Sequence, residues 1–176
     1  ASLSCDNTKF EFGGKASADM NNFEETISYI VDNSTKLKNN FTNAKNAPVE
    51  FACIFCQNGG EYRNFTKSIE KLGKIVQDTQ SGYVYLLSKP IQTKTGPLKL
   101  IKIRKPDPER KEKGDADFNT DYKNFSKKYR ENPKFEVIKR QDFEMLRLSD
   151  PNFDVMACFS STPLSKDLGI NIQEKS

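Results

Sequence analysis

Four charged side chains near the middle of the chain are spaced for chemistry. Lys102 and Arg104 alternate with Ile101 and Ile103, and Asp115 and Asp117 follow after a short break. Residues two apart on a strand share a face, so each pair presents two like charges to one side. The two cations suit a carboxylate or phosphate, Arg through its planar fork and Lys as a point charge. The two acids suit a base or a hard cation. Four such charges on one cavity wall are costly to desolvate unless they pair with each other or keep water and a ligand between them. Pairing is the simpler expectation.

Other reactive residues are scarce. The chain has no His, which removes Ser-His-Asp and Cys-His catalysis and His-ligated zinc. Cys53 and Cys56 form a CxxC, but they sit inside the apolar run VEFACIFC. Residues three apart on a strand point to opposite faces, whereas a redox CxxC opens a helix. Buried free thiols are expected. Asp115, Asp117, Asn119 and Asp121 match the start of a calcium loop, yet its sixth position is Thr120 and its twelfth Ser126. Acids on a strand followed by a helix cap are the expected reading, with no metal. The sequons at Asn33, Asn40, Asn64 and Asn124 fall largely on predicted helices and matter only in a secreted eukaryotic protein.

These residues need a scaffold. With 13 Phe and 6 Tyr the chain has the material for a core. The net charge of +4 is spread among interleaved acids and bases, without the single-sign stripe that a nucleic-acid groove needs, so no nucleic-acid partner is expected. No apolar run is long enough for a membrane helix, and the start ASLSC has neither the basic nor the apolar part of a signal peptide. A cytoplasmic location is favoured.

Residues 1–18 read as a loose arm with a short strand at Lys9–Phe12. Asp19 caps a helix whose stripe is Phe23, Ile27, Ile30, Val31, Ser34, Leu37 and Phe41. Strand, helix and three strands follow: Val49–Gln57, a helix from Tyr62 ended by Gly73, then Lys74–Asp78, Tyr83–Leu87 and Leu98–Arg104. Beyond a charged loop at 106–114 the same order returns: Asp115–Asn119, a helix Asp121–Arg130, then Phe135–Lys139, Phe143–Leu148 and Phe153–Ser160. The expected organisation is an arm and helix at 1–48, units at 49–105 and 115–161 joined by the 106–114 loop, and a tail at 162–176 that packs lightly through Leu164, Leu168 and Ile170.

Two consecutive β-α-β-β-β units, the first worded VEFACIFCQNGGEYRNFTKSIEKLGKIVQD, resemble the vicinal-oxygen-chelate superfamily of glyoxalases, bleomycin-resistance proteins and extradiol dioxygenases. The resemblance covers about residues 49–160. It implies an α+β fold of paired curved half-barrels around a cavity. It also implies a metal held from the first and last strand of each unit, at positions falling near Phe51, Lys102, Asp115 and Asp154 or Met156. Phe and Lys cannot hold a divalent ion, so loss of the metal is expected. The implied cavity wall comprises Phe51, Cys53 and Phe55 from one strand, Lys102 and Arg104 from another, and Asp115 and Asp117 from a third. A metal-free module binding a small polar or anionic molecule, or a protein partner, follows. The alternatives are a divergent lyase or isomerase and a structural subunit of an assembly.

Overall fold

The computed structural model describes residues 7–170, with side chains described from residue 22 onward. Cys5 and the end of the tail, 171–176, lie outside the described residues. Helix α1 runs Asn7–Phe41, so the strand expected at Lys9–Phe12 is helical. Asp19 lies within α1, so it does not cap it. A helix already anchored by packing continues without a new nucleation step, though the Gly pair costs about 1 kcal/mol per residue. The buried stripe from Phe23 to Leu37 is as read, with Lys38 added to it.

After α1 come β1 (Val49–Phe55), α2 (Gly59–Glu70), β2 (Gly73–Thr79), β3 (Gly82–Thr93) and β4 (Gly96–Arg104). Then follow β5 (Gly114–Phe118), α3 (Tyr122–Tyr129), β6 (Phe135–Lys139), β7 (Glu144–Leu148), β8 (Val155–Ser160) and the short α4 (Leu164–Asp167). The β-α-β-β-β order therefore occurs twice. The eight strands form one curled, unclosed sheet in the order β2-β3-β4-β1-β5-β8-β7-β6. β1 and β4 are parallel, as are β5 and β8, while β1 and β5 run antiparallel at the centre. The charged loop before β5 is tied to both sides of this centre: Phe55 N donates to Lys113 O, and Lys113 N to Asp154 O.

Strand alternation divides the interior in two. Val49, Ala52 and Ile54 of β1, Ile101 and Ile103 of β4, Ala116 and Phe118 of β5, and Val155, Ala157 and Phe159 of β8 join the helices in the main core. The aromatic part of that core centres on Phe125, whose ring lies 4.2 Å from Phe159 and 4.7 Å from Tyr129. Cys53, Phe55, Met156 and Phe51 form a separate cluster on the face away from the helices. Cys56 joins the main core, so the two cysteines of the CxxC do face opposite ways, and both are buried free thiols.

Gly73 does not serve as a left-handed helix cap, since its φ is not positive. Lys71 caps α2, and Gly73 opens β2 where a Cβ would run into the Leu86 carbonyl of β3. Gly114 is under a similar restriction at the centre of the sheet. A Cβ there would strike the Cys53 carbonyl and come within 2.7 Å of Ile30 Cδ1. Backbone carbonyls do not move aside, so Gly114→Ala must separate β1 from β5 or lift α1. We expect a loss of about 1–3 kcal/mol, read as a lower midpoint in urea unfolding; an unchanged midpoint would contradict the packing described.

Candidate functional site

The register places all seven expected site residues on the helix-free face. Cys53 of β1 lies opposite Lys102 of β4 on one side and Asp115 of β5 on the other, and Asp115 opposite Met156 of β8. Lys102, Cys53, Asp115 and Met156 thus form one row across the four central strands. One step along, Phe51 lies opposite Asp117, Asp117 opposite Cys158, and Cys158 opposite Arg147 of β7. On the other side of the first row Phe55 lies opposite Arg104, whose guanidinium sits 5.2 Å from the Phe55 ring centre.

The expected pairing of charges across this face is not what the side chains do. Among the described residues, no ion pair within 4.0 Å joins Asp115 or Asp117 to Lys102 or Arg104. Arg104 reaches back along its own chain to Asp107 at 3.5 Å. Asp115 accepts from the Cys158 thiol at 3.6 Å, and Asp117 from the Ser160 hydroxyl at 3.4 Å. Arg147 pairs with an exposed rim acid, Glu136, at 3.5 Å, and also meets the Cys158 thiol. The Nε atoms of both Arg104 and Arg147 are buried without an acceptor in the protein.

Burial sets the protonation of this face. It raises Asp117 well above the usual carboxylate range, and the neighbouring Asp115 charge pushes the same way. Asp115 is also raised by burial, against the opposing pull of Arg147, the Cys158 hydrogen bond, Arg104 and Lys102. Two close carboxylates in a poorly solvated site retain a proton between them. Burial raises the Cys53 and Cys158 thiols too, with Asp115 adding to it, and keeps them neutral. It lowers Lys102, with Cys53 opposing. Burial likewise works against the Arg147 charge, but the hydrogen bond with Cys158 and the Asp115 and Glu136 carboxylates outweigh it. Burial thus works against the charged forms of Asp115, Asp117 and Lys102 alike.

The metal positions implied by the superfamily resemblance hold poor ligands. Phe51, Lys102 and Met156 occupy three of them and only Asp115 offers a hard oxygen, while Asp154 lies outside the sheet bound to Tyr29 and Lys113. Asp115, Asp117 and Cys158 do bring three ligand atoms within 4.8 Å of one another. Two carboxylates and one thiol make a mixed hard and soft set of three, with Asp115 and Asp117 hydrogen-bonded to Cys158 and Ser160. The calcium-loop pattern does not converge either: Asn119 donates to Glu50, and Asp121 accepts from Asn124.

Arg147, Cys158 and Ser160 belong to this face but were not expected as site residues, and Met156, expected only as an implied metal position, joins them. Arg147 carried the same signal as Lys102, a cation between two apolar strand residues, Leu146 and Leu148. Four rim cavities of about 330 to 680 Å³ include none of the seven expected residues. The largest two flank α3 on either side of Thr120. No described helix is long and apolar enough to cross a membrane.

No known family profile matches the chain, and no curated protein matches it. Among solved structures it is similar to a structural-genomics protein titled Protein EC4020, at 11% identity and a TM-score of 0.62 over 89% of this chain and 91% of that one. A second structure, a glyoxalase/bleomycin resistance protein/dioxygenase superfamily member from Vibrio splendidus 12B01, aligns at 8% identity and a TM-score of 0.38 over 65% of this chain and 97% of that one. The first likeness shows that the overall fold is shared with another protein over almost the full length of both.

Proposed function

We propose that the chain is a divergent, glyoxalase-like module of paired half-barrels that binds a small anionic molecule on its helix-free face without a metal. The repeated β-α-β-β-β order supports the fold part of this reading, and so does the central placing of β4, β1, β5 and β8, the first and last strands of the two repeats. The observation that carries the binding part is the unbalanced charge. Lys102 and Arg104 lie on a largely buried wall beside acids that do not neutralise them, and Arg104 keeps a buried N–H without an acceptor. A buried, unsatisfied donor costs about 1–3 kcal/mol, more when charged, and an anion would relieve that cost. Arg104 serves as the planar fork, stacked on Phe55, and Lys102 supplies a second positive charge. Phe51, Phe55 and Cys53 supply the apolar wall, and Asp115 with Asp117 present a proton and an acceptor to polar groups of the ligand.

Arg104 packs at the end of β4 and is partly exposed, so Arg104→Met should leave the thermal midpoint within a few degrees of wild type. Calorimetry with inorganic phosphate and simple carboxylates should show binding weakened at least tenfold. Unchanged affinity in a folded variant would contradict the assignment. Near-stoichiometric zinc, iron or manganese in purified protein would contradict its metal-free part.

A further inference from the structure

The geometry points to a ligand with two anionic groups joined by an aliphatic spacer, one group held by Lys102 and Arg104 and the other by Arg147. This inference rests on the anion-site reading above and adds the class of ligand. Across the sheet the strands come in the order β4, β1, β5, β8, β7. Their side chains on the helix-free face therefore run from cations on β4, through Phe51 and Phe55 on β1, acids on β5 and Met156 on β8, to a cation on β7. The positive charge is split between the two repeats, and apolar surface lies between the two parts.

The two arginines are in matching circumstances. Each has its Nε buried with no acceptor in the protein, and each has a single ion-pair partner at 3.5 Å, at the edge of the face. The Arg147 side chain is only 11% exposed, whereas Glu136 is 66% exposed, so that pair does little to balance the buried charge. A guanidinium offering Nε together with a terminal nitrogen accepts a carboxylate side-on through two parallel hydrogen bonds. One small anion on Lys102 and Arg104 would leave Arg147 unsatisfied, because four strand steps separate β4 from β7. A dicarboxylate satisfies both ends, and its methylene groups lie against Phe51, the partly exposed member of the apolar cluster of this face. Burial works against charge on Asp115 and Asp117, which limits their repulsion of the anion.

The test is calorimetry on the full chain with the straight-chain dicarboxylates from malonate to suberate, each paired with the monocarboxylate of equal carbon number, and with inorganic phosphate. For wild type we expect an optimum length at which the diacid binds at least tenfold more tightly than its monoacid. In Arg147→Met that diacid should fall to the level of the monoacid, while the monoacid binds as before. Equal affinity of diacids and monoacids for wild type, at every length, would overturn the two-group inference and leave the anion site standing. This comparison needs no variant, so a misfolded Arg147→Met would not obscure it. No binding of any carboxylate or of phosphate would overturn both the inference and the site beneath it.

Discussion

Replacing Lys38 by Met should lower the thermal midpoint by roughly 5–15 °C, the largest effect expected of any single polar substitution in this chain. Lys38 is fully buried, near the end of α1. Its ammonium donates to Asn39 Oδ1 at 2.8 Å, Ala44 O at 2.6 Å and Lys45 O at 3.2 Å, and stands 5.1 Å from the centre of the Phe118 ring. It thereby closes the end of α1 and fixes the connection that delivers the chain to β1. Methionine fills the same volume but leaves two turn carbonyls without their donor, at a cost of about 2–4 kcal/mol. Burial draws the ammonium down to about 8 from its ordinary 10.5. Between those values the unfolded chain binds more protons than the folded one, so this group adds to stability as pH rises. The gap between wild type and variant should therefore widen from pH 8 towards pH 10.5. A variant that melts with wild type at pH 7 would show that the connection holds without Lys38.

Asp117→Asn should act in the opposite direction and stabilise the protein at neutral pH. Burial and the adjacent Asp115 raise the folded-state pKa of Asp117 above its unfolded value. The sign follows directly: the group's contribution is intact below the unfolded pKa and is lost as pH rises through the folded one. At pH 7 the wild type carries that loss. Asparagine keeps the shape and can still accept the Ser160 hydrogen bond without the charge. Each kcal/mol recovered should raise the midpoint by about 2–4 °C. The difference should shrink to nothing only below about pH 3, where wild-type Asp117 is protonated in both states. A variant less stable than wild type at pH 7 would mean that Asp117 is held as a paired carboxylate. Sites that bind charge often give up stability in this way.

The common face of the seven proposed site residues was legible because strand alternation has a period of two: once 98–104 and 115–119 are strands, the faces of Lys102, Arg104, Asp115 and Asp117 follow. Their partners were not legible. Arg104 turned to Asp107, three residues along its own chain, instead of crossing to β5. That choice depends on side-chain reach and on the curl of the sheet, which no spacing in the sequence encodes. Arg147 needed the β7–β8 register before it could be set beside Cys158 and Asp117. Gly73 misled because a glycine after a helix usually marks a left-handed cap, whereas here the close approach of Leu86 requires it. The N-terminal turns of α1 misled because their sequence lacks the apolar stripe that marks a helix, while the packed part of α1 has already met the cost of nucleation.

The central claim, that Arg104 and Arg147 offer buried donors to an anion, is tested most directly by NMR of the arginine Nε–Hε groups during titration with the best-bound carboxylate. The Arg104 and Arg147 resonances should shift downfield in a saturable manner and become protected from solvent exchange, while those of Arg63 and Arg140, which line no part of this face, stay in place. Saturable binding that leaves both Arg104 and Arg147 unshifted would contradict it.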